Sequence, residues 1–401
     1  MRKGKFINRG RSAHEVRIAI FHDTFTTVGG CEKLIVSLAR ALGADIITAQ
    51  ANPEVVRFLE TKGITIISLG PCVHDAFLRT YATVKRFREC NVQKKYDLFI
   101  FSGIHSLSAS QRHGPAVWYC SHVDKGLHYA APSTFFGKCR RFVGAHVPIS
   151  RWALRFLRFV VNSDRAALKE LARYPQALKF SKSVVTDKAD VARIERIVVN
   201  SEHTGEAVRR IFKRKSCVVH PGIDTRRYVH KESQGFWLSV NRIEPHKRVD
   251  VQVNAFKHLP GEKLVIVGSR GDDRKYNAVL EDLPKNVTYA GRIAEEELID
   301  LYARCKGFIT TAQDEDFGLT VVEALAAGKY VIAPAQGGYV EIIGKTKVGA
   351  LIPNMRAQSL AQAIRSAVPQ DPKACMARAR VFDLSKFNSK MKEVIESIRV
   401  R

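Results

Sequence analysis

The sequence predicts an α/β protein built from two doubly wound parallel sheets, and three observations carry that expectation. Short apolar runs alternate with helix-period stretches along most of the chain; strands buried on both faces and joined by crossover helices give this pattern. The alternation occurs twice, on either side of a polar stretch at residues 225–235. With 401 residues, 45% hydrophobic and 26% charged, the chain is globular and long enough to bury two cores.

In chain order, residues 1–15 are basic and are expected to form a mobile tail. They lack an apolar core segment, which argues against a secretory signal. Residues 16–225 are expected to form the first domain. Its predicted strands are Val16–Phe21, Asp45–Thr48, Ile64–Leu69, Asp97–Ser102, Ala116–Cys120, Ile197–Asn200 and Ser216–His220. Helical periodicity falls at Glu32–Leu42, Pro53–Lys62, Ala76–Glu89 and Glu202–Lys213. Gly29 and Gly30 stand between the first strand and the first helix, where glycines let a backbone approach a phosphate; two glycines alone equally make a plain turn. Residues 135–180 break the rhythm. Residues 135–161 are basic and aromatic without an acid, and a helix carrying Trp152, Phe156 and Phe159 could lie on an anionic membrane surface or pack its aromatics inward.

Residues 226–385 are expected to form the second domain, opening with Phe236–Asn241, Val249–Lys257 and Lys263–Val267. The helix Tyr276–Leu283, the strand Val287–Ala290 and the helix Glu295–Ala303 follow. A helix over Ala357–Ala367 follows the central unit, and residues 386–401 belong to a basic terminal helix that can pack back on the first domain. The centre of this domain is Asp314–Glu341. A strand at Gly307–Thr311 leads into three acids, Asp314, Glu315 and Asp316. A turn at Phe317, Gly318 and Leu319 follows, with Thr320 as the expected cap of a helix Val321–Ala327. A strand Tyr330–Ala333 then ends at Gly337 and Gly338. Ligands of open parallel sheets sit at the carboxyl edge, and a helix N-terminus there suits an anion. Glu315 and Glu323 can both face that crevice, which makes it a site for a negatively charged, hydroxyl-rich ligand. The Asp-x-Asp at Asp314 and Asp316 could chelate a divalent cation, but acids are favoured at a helix start in any case. Arg242 and Lys247 follow a strand end and could neutralise a diphosphate or be solvated loop charge. His122, after another strand end, could bond a substrate hydroxyl or be structural.

These residues together resemble the retaining nucleotide-sugar glycosyltransferases of family 4, the group 1 glycosyltransferases, over nearly the whole chain. Glu315 to Glu323 matches the E-x7-E signature. Arg242 to Lys247 matches the diphosphate-binding segment, VGGCEKL the first-domain glycine loop, and VVNSEHT and VVHPGID two further segments. His122 aligns with the active-site histidine, and DEDFG most resembles a mannosyltransferase-like subset. Thr320 and Tyr330 stand where that subset has proline, and Ser121–Asp124 replaces its His-Thr-Pro-Pro run. The resemblance implies the GT-B fold, two Rossmann-like domains facing a cleft, with the acceptor on the first and the nucleotide-sugar on the second. It implies that Glu323 binds ribose and Glu315 the donor sugar, while N–H groups of Phe317, Gly318, Leu319 and Thr320 meet sugar and phosphate. Arg242 and Lys247 would stabilise the leaving diphosphate, with no metal and no cofactor beyond a GDP- or UDP-sugar co-substrate. The expected reaction is retaining transfer of a sugar, such as mannose from GDP-mannose, to a lipid-linked or polysaccharide acceptor.

Lys and Arg total 65 against 39 acids, a net charge of +26, so an anionic partner is expected. Two other functions fit part of the pattern: a basic nucleic-acid-binding protein, for which no module is recognisable, and an epimerase of the same fold, against which E-x7-E speaks. Eight cysteines without a C-x-x-C pair point to reduced thiols. No apolar run reaches 18 residues, so the expected place is the cytoplasm or its membrane face.

Overall fold

The computed structural model describes residues 16–59, 63–73, 76–123, 187–271, 273–368 and 371–398. The basic tail, Cys139 and the membrane-surface segment 135–161 lie outside them. The described strands form two parallel sheets. The first has the order β3-β2-β1-β4-β5-β6-β7: β1 Ile18–His22, β2 Asp45–Thr48, β3 Ile66–Ser68, β4 Leu98–Ser102, β5 Ala116–Cys120, β6 Arg196–Val199 and β7 Cys217–Val218. The second has the order β10-β9-β8-β11-β12-β13: β8 Phe236–Val240, β9 Lys263–Val267, β10 Val287–Gly291, β11 Gly307–Ile309, β12 Tyr330–Pro334 and β13 Gly349–Ile352. In both, the order reverses beside the first strand, so the connections diverge there and leave a crevice at the carboxyl edge.

The central strands β1, β4 and β5 are buried at every position, which is why they read as continuous apolar runs rather than alternating ones. Each sheet has a core on both faces. Phe21, Phe99, Phe101 and Trp118 fill one face of the first sheet, and Ile20, Ile35, Ile100 and Tyr119 the other. Phe308, Val331 and Tyr302 pack on one side of the second, and Trp237, Phe256 and Ile332 on the other.

The terminal helix Leu384–Glu396 packs on the first sheet although it follows the second. Phe387, Met391 and Ile395 enter the first-sheet core, Phe387 meets Tyr119 edge-on at 5.4 Å, and Asn388 Nδ2 donates to Ser37 Oγ at 3.0 Å. The two passages between the sheets touch where Ile223 bridges Asp383.

Several boundaries differ from the sequence expectation. The Ser216–His220 strand shrinks to Cys217–Val218, because His220 leaves the ladder to bond a carboxylate of the second domain. The Tyr276–Leu283 helix is instead a single turn, Arg274–Asn277, continued by a 3-10 turn, Ala278–Leu280. The strand β13 and the helices Tyr339–Ile343 and Pro372–Ala379 were not among the elements expected from sequence, although Asp371 and Pro372 make a helix-start signal for the last. Among the described residues, no helix is long and apolar enough to cross a membrane.

Candidate active site

The carboxyl edge of the second sheet gathers opposite charges. After β8 the chain makes a 3-10 turn, Pro245–Lys247. Thr311 Oγ1 pins it by donating to the carbonyls of Lys247 at 2.8 Å and Arg248 at 2.9 Å. Lys247 Nζ then reaches Glu315 Oε2 at 2.6 Å, both side chains half-buried. Arg242 is exposed and pairs with Glu244 at 3.0 Å, so of the two sequence-predicted cations only Lys247 is joined to the acidic turn.

That turn starts the helix Leu319–Ala326 differently from expectation. Thr320 is not its cap. Gly318, at φ 108°, occupies the cap position without a side-chain bond, and the helix begins two residues earlier than predicted. A Cβ there would stand 2.5 Å from the Tyr339 ring, so only glycine lets the turn close. The first-turn N–H groups, Leu319 and Thr320 among them, have no intrahelical acceptor and form an anion-favouring end. Phe317 is buried between His220 and Phe382, with centroids 5.5 and 5.6 Å away; its ring belongs to the core, which leaves its backbone for a ligand. The Gly337–Gly338 loop closes on the turn as Gly338 N donates to Glu315 O at 3.0 Å.

Glu323, one turn into that helix, accepts a hydrogen bond from Tyr302 Oη at 2.8 Å. Burial pushes its carboxyl above the usual range, opposed by the Tyr302 hydroxyl, the Lys33 charge and the Tyr228 hydroxyl. Tyr302 fixes one oxygen of that carboxyl, Oε2, and so sets how Glu323 can meet a hydroxyl-bearing partner.

The edge of the first sheet is bonded mainly to itself. His22 Nδ1 lies 3.3 Å from Ser102 Oγ, and Asp23 accepts from the N–H groups of Ser106 at 2.8 Å and His105 at 3.3 Å. Gly29 precedes the helix Gly30–Leu42. A Cβ on Gly30 would fall 2.6 Å from Leu319 Cδ1, so the first domain lies close against the start of Leu319–Ala326 at this glycine. Cys31 is pushed up to about 12 by burial and by Glu32, which keeps it a neutral thiol rather than a nucleophile. His122 is exposed after β5, with Nδ1 3.4 Å from Ser121 Oγ.

Contacts across the cleft supply residues that sequence reasoning missed. Glu295 binds Lys33 at 2.6 Å and Arg227 at 2.5 Å; burial works against its charge, the two cations outweigh it, and its carboxyl is held low. Glu341 caps the helix Glu202–Phe212 from the opposite domain, accepting from the backbone N–H groups of Glu202 at 2.9 Å and His203 at 3.2 Å and from His220 Nε2 at 2.9 Å. Burial again raises its carboxyl, and these bonds overcome it, so it titrates below the ordinary range. Asp314, at φ 57°, pairs with His203 Nε2 at 2.8 Å. Of these residues only Asp314 and Glu341 stood inside the stretch singled out from sequence, and no local pattern marked their partners His203 and His220.

The architecture matches solved GT-B structures. Anabaena HepE in complex with UDP and glucose covers 96% of this chain and 100% of its own at a TM-score of 0.66 and 18% identity. Sucrose-phosphate synthase from Thermosynechococcus elongatus covers 94% of this chain and 98% of its own at a TM-score of 0.71 and 17% identity. Among curated proteins, the D-inositol 3-phosphate glycosyltransferase of Mycobacteroides abscessus is 29% identical over 202 residues, 45% of this chain and 44% of the relative. That of Mycolicibacterium vanbaalenii is 26% identical over 275 residues, 59% of each. The chain thus spans about half the length of the curated relatives it matches. Residues 222–380, which hold the Lys247–Glu315 pair, the Gly318 turn and Glu323, match the family model of the group 1 glycosyl transferases.

Proposed function

We propose that the protein is a glycosyltransferase that moves a sugar from a nucleotide-sugar to a hydroxyl of a glycan or lipid-linked acceptor with retention of anomeric configuration. The observation that carries this reading is the Lys247–Glu315 pair beside the N-terminus of Leu319–Ala326, with Glu323 one turn further in. Glu323, oriented by Tyr302, takes the ribose hydroxyls. Glu315 takes donor-sugar hydroxyls, and the N–H groups of Phe317 to Thr320 meet sugar and phosphate. As the anomeric C–O bond breaks, its electron pair passes to the diphosphate and positive charge builds on the sugar. Lys247 and Arg242 stabilise that diphosphate in place of a metal. The acceptor hydroxyl attacks from the same face and gives its proton to the departing phosphate, which needs no protein nucleophile. His122 contacts a donor-sugar hydroxyl, and Gly29 and Gly30 approach the phosphates from the first domain.

The UDP complexes of HepE support a uridine nucleotide as donor, while the DEDFG wording supports GDP-mannose. The reading also places the protein at the cytoplasmic face of a membrane, with residues 135–161 as its contact. The test is a panel of UDP- and GDP-sugars assayed for thermal stabilisation, since a ligand of the folded state raises apparent stability with its concentration. Transfer is then measured with and without a chelator in wild type, Glu323→Ala and Lys247→Ala. One donor should stabilise, and chelation should leave turnover unchanged. Full turnover in both variants, or no stabilisation by any donor, refutes the proposal.

A further inference from the structure

The helix Glu295–Arg304 starts with three acids, Glu295, Glu296 and Glu297. Acids there have an ordinary explanation, since they complement the positive end of the helix. Glu296 and Glu297 are exposed and supply that complement. Glu295 differs. It is half-buried and takes two cations on one oxygen, Lys33 Nζ at 2.6 Å and Arg227 Nη1 at 2.5 Å.

Its partners come from different parts of the molecule. Lys33 belongs to the first-domain helix Gly30–Leu42, three residues after Gly30, so the two stand on one face of that helix. Gly30 lies close against Leu319, at the start of Leu319–Ala326. The first turn of Gly30–Leu42 therefore meets the second domain both through an apolar contact and through a charge. Arg227 belongs to the 3-10 turn Thr225–Arg227 in the passage between the domains, and the next residue, Tyr228, acts through its hydroxyl on Glu323.

The helix of Glu295 also carries Tyr302. Seven residues make about two turns, so Glu295 and Tyr302 share one face, about 10 Å apart, and Tyr302 Oη donates to Glu323 at 2.8 Å. One helix face thus holds the first domain at one end and the Glu323 carboxyl at the other. Burial raises that carboxyl, and the charge of Lys33 is among the influences that oppose it. Ion pairs with partners as exposed as Lys33 and Arg227 contribute little to stability, so the effect of this contact is to be sought in position.

We propose that Glu295 is a positioning residue for the donor: by holding Lys33 it keeps the glycine turn of the first domain over the start of Leu319–Ala326, at a set distance from Glu323, so that the phosphates and ribose of one nucleotide meet both domains together. The proposal rests on the glycosyltransferase reading. A protein that populates this arrangement only in part binds donor more weakly by that fraction, and bound donor restores the arrangement. The signature is a raised KM with kcat unchanged.

The test uses the full chain. Glu295→Gln and Lys33→Gln should each raise KM for the UDP- or GDP-sugar that is turned over by about two- to fivefold, the effect of an ion pair of this exposure, with kcat unchanged. The double variant should raise it no further than Glu295→Gln, because both changes remove one contact. Lys33→Arg keeps the charge, and Glu297→Gln removes an equal charge from the same helix start; both should match wild type. In the nucleotide-free protein, hydrogen exchange of the amides in the first two turns of Gly30–Leu42 should quicken by a similar factor in Glu295→Gln and stay as it was in Glu297→Gln. An unchanged KM, additive KM effects, an equal fall in kcat or unchanged exchange overturns the positioning role. Quickened exchange in Glu295→Gln, with no UDP- or GDP-sugar turned over by wild type, keeps the tie between the domains and places the failure in the glycosyltransferase reading.

Discussion

The two carboxyl edges that face each other are built on opposite principles. At the second sheet, side chains of opposite charge meet: Lys247 on Glu315, and Glu323 beneath two tyrosine hydroxyls. At the first, polar groups are spent on their own loops, Asp23 on the N–H groups of His105 and Ser106, and His22 on Ser102. The groups of the second edge sit poised, because a phosphate or hydroxyl can replace or extend each pair. The first-side groups mostly hold loop shape, and what they offer a ligand is backbone and contour. The charged edge lies within residues 222–380, the span that matches the family model.

Lys247→Ala tests the contrast most severely. Losing the half-buried ammonium should cut kcat/KM for donor by about 10²- to 10³-fold, the effect of deleting one preorganised stabiliser of transition-state charge. A loss below tenfold in steady-state kinetics would remove the poised edge from the comparison.

Glu341→Ala attacks the join between the two regions. It removes three hydrogen bonds to a charged acceptor, a loss of about 2 kcal/mol, so thermal unfolding should come about 4 °C earlier. The carboxyl's folded value is depressed, so its contribution is complete above its ordinary value of 4.5 and fades as pH falls through the folded value. The gap in melting temperature between wild type and variant should therefore be constant near neutrality and close in acid. A gap that persists in strong acid would assign the effect to packing.

His122→Ala sharpens the contrast from the other side. Losing an exposed histidine whose ring, among the described residues, meets Ser121 at 3.4 Å should cost about tenfold in kcat/KM, the low end for a contact to one reacting group. A loss as large as that of Lys247→Ala would make the first edge an equal chemical partner. The smallest effect is expected for Tyr302→Phe. Removing one hydrogen bond to Glu323 is a change of about 1 kcal/mol, which should raise the donor KM roughly fivefold and leave kcat nearly as it was. An equal fall in kcat would mean that Glu323 acts in the transition state rather than in binding.

What could be read in advance follows the range of the interactions. Buried strands such as Ala116–Cys120 and Lys263–Val267, and the helix Ala76–Glu89, were legible because one residue's neighbours set their burial. Edge strand β13 was missed because four residues, GALI, form a strand only through their partner β12. Thr320 was misjudged as a cap because threonine caps helices commonly, while the left-handed turn at Gly318 is imposed by Tyr339, 21 residues away.

By itself, the sequence determined two parallel-sheet domains and the chemical types at the second edge: a lysine, two glutamates and a glycine turn. Those depend on local periodicity and on residue chemistry that spacing preserves. Tertiary structure decided which groups act together. It set Tyr302 and Tyr228 on Glu323, brought Lys33 and Arg227 to Glu295, carried Glu341 across to a helix of the first domain, and turned Arg242 toward Glu244. Most of these partners are tens to hundreds of residues apart, and no periodic signal encodes such a distance; only the packing of the sheets brings their charges within reach.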